Sequence, residues 1–226
     1  MELALERVVE EGGDVRSLYF SGSVPPYKPG NFFRLHLLGK DGKKIFRPYS
    51  AASHPSEQQL RLCIKRNGEF SGMAFGLREG DRVEIDGPYG IFTLDPKDGQ
   101  RVFIAGGVGI TPLRSMIIQT LLEGKPAVLF HSSRTLSGIT CIGEMKLLGL
   151  QSNGFRYFPA VTREQMPDGW EGIIGRVTAD GMITRLGTLE GKTFYICGPP
   201  EMVSGVVKSL LGAGVKRENV KKEEWG

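Results

Sequence analysis

Metal-binding side chains are scarce in this chain: three cysteines and three histidines in 226 residues. Cys63, Cys141 and Cys197 are far apart and odd in number. That spacing fits neither a disulfide framework, a zinc site nor an iron–sulfur cluster. His36, His54 and His131 are equally dispersed, so no metal site is expected. Long apolar runs are also missing; no stretch reaches the length that spans a bilayer. The opening residues Met1 to Arg7 lack the apolar core of a signal peptide, so a cytoplasmic protein without membrane insertion is expected. Charge of one sign is not concentrated either. The net charge is only +4, and the basic residues are scattered apart from Lys221-Lys222. Nucleic-acid binding is therefore not implied.

Glycine, by contrast, is abundant at 32 residues, which predicts tight turns or backbone-lined ligand loops. In the first half, apolar and polar residues alternate: Phe33, Leu35, Leu37; Leu60, Leu62, Ile64; Val83, Ile85. Turn signals such as Pro29-Gly30, Asp41-Gly42, Asn67-Gly68 and Gly87-Pro88 separate these runs. The pattern predicts an antiparallel β-barrel, with a short helix around residues 73–77. Residues 95–100 read as a linker. Beyond it, strands are predicted at 101–105, 126–131, 155–161 and 193–197, with helices at 112–122 and 200–211. Strands alternating with helices imply a parallel α/β sheet. The expected division is a barrel domain over 1–97 and an α/β domain over 98–226.

Several segments carry chemistry. In Arg47-Pro48-Tyr49-Ser50, the guanidinium suits a pyrophosphate. Tyr49 offers a stacking face, and Ser50 is a small donor able to approach a ring nitrogen. Downstream, Gly68-Glu69-Phe70-Ser71 offers backbone N–H groups that can cup an anion. This ordered pair looks like a flavin site. Gly106 to Pro112 joins a strand to a helix, where phosphates bind, although such turns also serve packing alone. Cys197-Gly198-Pro199-Pro200-Glu201-Met202 repeats that arrangement. Cys197 is either a small buried hydrophobe or a thiol facing the crevice. Thr162 and Arg163, with Arg176 beyond, read equally as a phosphate grip or as solvated surface. Ser133-Arg134 has the same two readings. Trp225 either pins a tail or covers the face of a planar cofactor.

Together these segments resemble the ferredoxin–NADP reductase family of FAD enzymes over essentially the whole chain. Arg47 to Ser50 is similar to the family's R-x-Y-[ST] flavin motif. Cys63-Ile64-Lys65 and Gly68 to Ser71 resemble the next two flavin segments. Gly106 to Pro112 and Cys197 to Met202 resemble the nicotinamide-nucleotide segments. The resemblance implies a Greek-key FAD barrel followed by a nicotinamide-nucleotide α/β domain. It implies that Tyr49 stacks on the isoalloxazine, Arg47 pairs with the pyrophosphate and Ser50 hydrogen-bonds near flavin N5. Phe70 and Ser71 would cap the pyrophosphate through their backbone. Gly107, Val108, Gly109, Thr111 and Pro112 would meet the nucleotide together with Gly198, Pro199 and Met202. Cys197 would sit beside the nicotinamide C4. Glu223 and Trp225 look like the family's terminal acid-x-aromatic, with Glu224 as the other candidate acid. Thr162, Arg163 and Arg176, with Ser133 and Arg134, would hold a 2′-phosphate, favouring NADPH with NADH as the other candidate.

The expected activity is hydride transfer from NADPH to FAD. A small redox protein such as ferredoxin or flavodoxin would be the separate acceptor, because no cluster-binding cysteines are present. An NAD(P)H:flavin reductase and an electron-transfer subunit of a larger complex are the competing readings.

Overall fold

A computed structural model describes residues 1–39, 41–165 and 168–225. The alternating segments of the first half become strands β1 (Glu2–Gly12), β2 (Val15–Ser21), β3 (Phe32–Leu38), β4 (Lys44–Ser50), β5 (Leu60–Lys65) and β6 (Arg82–Tyr89). They form one antiparallel sheet in the order β4-β3-β6-β1-β2-β5. The order is of Greek-key type, because β6 crosses over to lie between β1 and β3. One side chain in two points inward: Leu3, Leu5, Leu18, Phe20, Phe33, Leu35, Leu60, Leu62, Ile64, Val83 and Ile85 fill the interior. Each contributes about 1.5–3 kcal/mol of burial, and a one-residue slip would expose a strand's entire set. That fixes the register. The two end strands meet where Ala51 bridges Leu62 and the Ala52 N–H donates to the Arg61 carbonyl at 2.8 Å, closing the sheet into a barrel.

Helix α1 (Glu69–Ala74) begins four residues earlier than the 73–77 expected from sequence. Gly68, at φ +98°, turns the chain into the helix directly after Asn67. The apolar residues that suggested the later position, Phe75 and Leu77, pack against the barrel beyond the helix end.

The second half forms β7 (Gln100–Gly106), β8 (Ala127–Ser133), β9 (Phe155–Val161), β10 (Ile173–Ile174), β11 (Lys192–Gly198) and β12 (Val220–Glu224). All pair in parallel, in the order β10-β9-β8-β7-β11-β12. Residues of β7, β8 and β11 are almost wholly buried, as expected of a sheet covered on both faces. Helices α2 (Ile110–Leu122) and α3 (Ile142–Gln151) cover one face, α4 (Ala179–Leu186) and α5 (Pro200–Gly212) the other. The chain leaves β7 toward β8 on one side and returns through β11 on the other. The carboxyl ends of β7 and β11 therefore flank the switch point where α/β proteins bind ligands.

Residues 95–100 are pinned rather than loose. The Asp95 N–H donates to the Tyr195 hydroxyl at 2.9 Å, and that hydroxyl donates in turn to the Asp98 carboxylate. Thr193 Oγ1 donates to the same carboxylate at 3.1 Å.

Candidate functional site

On the barrel, β4 ends in Arg47-Pro48-Tyr49-Ser50 and α1 follows β5 close by. The rings of Tyr49 and Phe70 stack with centroids 6.4 Å apart, and the Arg47 guanidinium lies 5.6 Å from the Phe70 ring. The R-x-Y-S segment and the G-E-F-S segment are thus brought together as one surface. Burial pushes the Tyr49 hydroxyl up to about 12, keeping it neutral. Ser50 is buried at the strand end, and Pro48 sits exposed on β4, a strand at the end of the sheet order where a missing N–H is tolerated. Ser71 Oγ accepts from the Asn67 N–H at 2.7 Å and donates to the Gly68 carbonyl at 3.2 Å. Its hydroxyl locks the turn, leaving backbone rather than side chain for an anion. Gly68 makes no side-chain cap for α1, and Glu69 opens the helix at an exposed position. In the segment between, Ile64 points into the barrel core, Lys65 is exposed, and Cys63 faces the second domain. Ile64 can meet a ligand only through its backbone.

Across the boundary, β7 runs into the turn Gly107-Val108-Gly109 and then α2. Gly107 adopts φ +54° with nothing within 4 Å of where a Cβ would stand. Gly109 is the opposite case: a Cβ there would run into the Cys197 carbonyl. Of the two glycines, the first faces open space and the second exists for packing. His131 Nε2 lies 3.0 Å from the Gly107 carbonyl and holds the turn; burial pushes this imidazole down to about 4, so it is neutral and donates. Thr111 Oγ1 donates to the Val108 carbonyl at 2.9 Å, tying the turn to the buried opening residues of α2, Pro112 among them. Val108 itself packs on Val15, Ala52 and Cys63 of the barrel.

Cys197 is fully buried near the end of β11, in register with Glu223 of β12, and its Sγ lies 3.9 Å from Glu223 Oε2. Burial pushes the Cys197 thiol up, and Glu223 adds to the effect; burial also raises the Glu223 carboxyl to about 7. Gly198 and exposed Pro199 lead into α5, whose Met202 packs against Gly106. Trp225 packs against the cluster that contains Phe92, Tyr195 and Cys197. Gly226, which follows it, lies outside the described residues.

The loops after β8 and β9 are joined through their backbones: Thr162 N–H donates to the Ser133 carbonyl at 3.0 Å and Arg163 N–H to the Arg134 carbonyl at 2.9 Å. Thr162 Oγ1 also donates to Ser133 at 3.2 Å. Arg134, Arg163 and Arg176 are exposed and make no ion pair among the described residues. Gly175, preceding Arg176, donates to the Val161 carbonyl at 2.8 Å, which brings Arg176 to the same edge.

Sequence reasoning missed the charged clasp that seats the nucleotide turn on the barrel. Arg114 of α2 donates to the Ala52 carbonyl at 2.7 Å, to both Glu57 oxygens at 2.8 and 3.0 Å, and to Glu144 at 2.6 Å. Arg61 of β5 reaches Glu144 at 2.8 Å and Glu11 at 2.6 Å. Burial alone would raise Glu57 and Glu144, but hydrogen bonds from the arginines override it and hold both below the usual carboxylate range. No local motif marks these residues, because their partners lie 30 to 83 positions away.

The surface fits a dinucleotide bearing a planar ring. Gly68 and Gly107 present open backbone at positive φ, and the Trp225 indole N–H is buried without a protein partner among the described residues.

The comparisons with known proteins agree. The model of the oxidoreductase FAD-binding domain matches residues 3–94, and that of the oxidoreductase NAD-binding domain matches residues 103–208. The chain is 28% identical to a subunit of the Na(+)-translocating NADH-quinone reductase of Pseudoalteromonas atlantica, over 92% of this chain and 56% of the relative. It spans about half the length of the curated relatives it matches. The structure of the Amycolatopsis cytochrome P450 reductase GcoB superposes with a TM-score of 0.85 at 25% identity, over 99% of this chain and 69% of that one. A ferredoxin NADP+ reductase from Neisseria gonorrhoeae, solved with FAD and NADP bound, gives a TM-score of 0.84 at 24% identity, over 99% of this chain and 98% of that one. With its antiparallel barrel, parallel α/β sheet and paired FAD- and nicotinamide-nucleotide-binding domains, the chain belongs to the ferredoxin–NADP reductase-like family of flavoprotein oxidoreductases.

Proposed function

We propose that this chain oxidises NADPH through FAD and works as the electron-input module of a larger redox assembly. In this reading residues 1–97 hold FAD and residues 98–226 hold the nicotinamide nucleotide. The observation that carries it is the seating of the Gly107-Val108-Gly109 turn on the barrel wall, with Cys197 and Glu223 paired at the adjoining strand ends. FAD held there would supply the redox chemistry, hydride acceptance and electron release.

The chain's own residues bind and orient. Arg47 meets the pyrophosphate, Tyr49 gives a stacking face, Ser50 donates toward the flavin ring, and Phe70 and Ser71 offer backbone N–H groups. Cys63, Ile64, Lys65, Gly68 and Glu69 shape the wall around them. Gly107, Val108, Thr111 and Pro112 receive the nucleotide opposite Gly198, Pro199 and Met202, while Gly109 keeps β11 close. Cys197 sets the approach of the nicotinamide as a neutral thiol. Glu223, protonated below about pH 7, supplies an uncharged acid beside it. Trp225 excludes water from the ring's open face. The protein's main contribution is proximity and orientation.

The relatives' names, which place them as subunits of a quinone reductase, support an assembly partner as the acceptor. A free ferredoxin or flavodoxin is the second reading, supported by the net charge of +4. A cytoplasmic location belongs to the proposal in either case.

Arg134, Arg163 and Arg176, without an ion pair among the described residues, lie at one edge near Ser133 and Thr162 and favour a 2′-phosphate. Steady-state ferricyanide reduction with each nucleotide tests this. We expect a higher kcat/KM with NADPH, and an Arg134→Ala/Arg163→Ala variant losing roughly 10–100-fold with NADPH alone, the scale of charge-assisted hydrogen bonds. Equal losses with NADH would remove the phosphate role.

A further inference from the structure

Two of the three cysteines are joined across the domain boundary through one arginine. Cys63 stands on β5 and Cys141 at the start of α3, and both thiols belong to one hydrogen-bond network built on Arg61 and Ser17. One guanidinium spans the pair. Arg61 Nη2 donates to Cys141 Sγ at 3.0 Å, and its Nε donates to Ser17 Oγ at 2.9 Å, which in turn contacts Cys63 Sγ at 3.1 Å. Cys141 occupies left-handed backbone at φ +60°, which disfavours a residue with a Cβ and persists only where the surroundings demand it. A groove of about 360 Å³, lined by Arg7, Glu11, Tyr19, Arg61, Cys141 and Glu144, opens onto that residue from solvent. Both thiols are otherwise buried.

We propose that Cys63 and Cys141 form a redox-modification site, a dithiol that a hydroperoxide converts to a disulfide stapling the barrel to the α/β domain. The observations distinguish this pair from Cys197. The neighbouring Cys141 thiol holds Cys63 below the usual thiol range, with Arg61 adding to the effect, while Cys141 is pushed correspondingly up. The pair thus releases its first proton readily, and Arg61 remains to balance the charge against Glu11 and Glu144. Cys197 instead faces Glu223, and burial keeps its proton on.

The step balances. The Cys63 thiolate takes the Cys141 proton, and the Cys141 thiolate so formed, which lines the groove, attacks one peroxide oxygen. The O–O bond breaks, hydroxide leaves and takes up the proton first released, and Cys141 becomes a sulfenic acid. Cys63 then attacks the Cys141 sulfur: the S–S bond forms, the S–O bond breaks, and a second water leaves. Two thiols and one hydrogen peroxide give one disulfide and two waters, the peroxide being the species reduced.

The test treats the purified full chain, with its flavin and without nicotinamide nucleotide, with equimolar hydrogen peroxide. Thiols are then alkylated under denaturing conditions and mapped by mass spectrometry. The expected result is a linked Cys63–Cys141 peptide pair, with Cys197 fully alkylated and all three thiols recovered after dithiothreitol. Full alkylation of Cys63 and Cys141 after peroxide would overturn the proposal. So would a bridge to Cys197, or a sulfinic acid at Cys141 beside a free Cys63. In a Cys63→Ala variant, dimedone should label Cys141; an unlabelled Cys141 there contradicts the order of attack.

Discussion

Glu223 is a carboxyl whose folded-state pKa lies near 7, raised from 4.5 by burial. Folding therefore favours its protonated form. Its contribution to stability is complete below about pH 4.5 and is lost as pH rises through about 7. Glu223→Gln should flatten that slope. Relative to the variant, the native protein should lose about 1–2 kcal/mol between pH 5 and 8 in urea unfolding, a figure reduced for the water that reaches this half-buried group. Parallel stability curves across that range would contradict the assignment. The two glycines separate packing from access in the same way. Gly109→Ala should cost ~3 kcal/mol, because a Cβ meets the Cys197 carbonyl. Gly107→Ala should cost only ~1 kcal/mol of backbone strain while weakening nucleotide binding. At this scale the sequence made the motif residues legible, since R-x-Y-S and the glycine turns each carry their chemistry locally. It could not separate Gly107 from Gly109, because the distinction lies in how closely β11 approaches. Nor did it reveal that His131 supports the turn, for a lone histidine in an apolar strand carries no partner signal.

Strands and helices with strong periodicity were readable, and residues 155–161 form β9 over the full range expected. The strands and α-helices that sequence did not locate were β1, β2, β4, α3, α4, β10 and β12. The last is instructive: Val220-Lys221-Lys222-Glu223-Glu224 has almost no apolar content, yet pairs in parallel along β11. Charged residues suit an end strand, where they discourage further pairing, and the pairing itself is dictated by tertiary register. Without it Glu223 would not reach Cys197. Linker residues 95–100 were legible as a break but not as a clamp, because Tyr195 lies 100 positions beyond Asp95. Fully buried Arg101 donates to Thr120 at 3.1 Å, to Glu123 at 2.8 Å and to the Asp95 carbonyl at 3.1 Å, joining β7, α2 and the linker. Arg101→Ala should lower stability by about 3–5 kcal/mol in chemical denaturation, as expected when one partner of a buried ion pair is removed. A loss under about 1 kcal/mol would show that the pair is dispensable.

Across the whole molecule, the barrel and the α/β sheet are held by the Arg61–Glu144–Arg114–Glu57 clasp, which joins β5 and the preceding loop to α2 and α3. Glu57 and Glu144 sit below the usual carboxylate range, so their support is present above the unfolded value near 4.5 and is lost as pH falls. A double-mutant cycle on Arg114→Ala and Glu57→Ala should give a coupling of about 1–3 kcal/mol. Additive losses would place the domains' attachment elsewhere, in the apolar contact of Val108 with Val15 and Ala52. None of this clasp was visible in the sequence, since its members are ordinary charged residues brought together only by folding. The domain order was visible, because each domain is written in a contiguous segment with its own periodicity. If the two domains work as one redox unit, NADPH added to the purified protein without oxygen reduces the flavin, and anaerobic titration measures this. One equivalent of NADPH should bleach the visible flavin absorbance. A flavin that stays oxidised in excess NADPH and in excess NADH would contradict it.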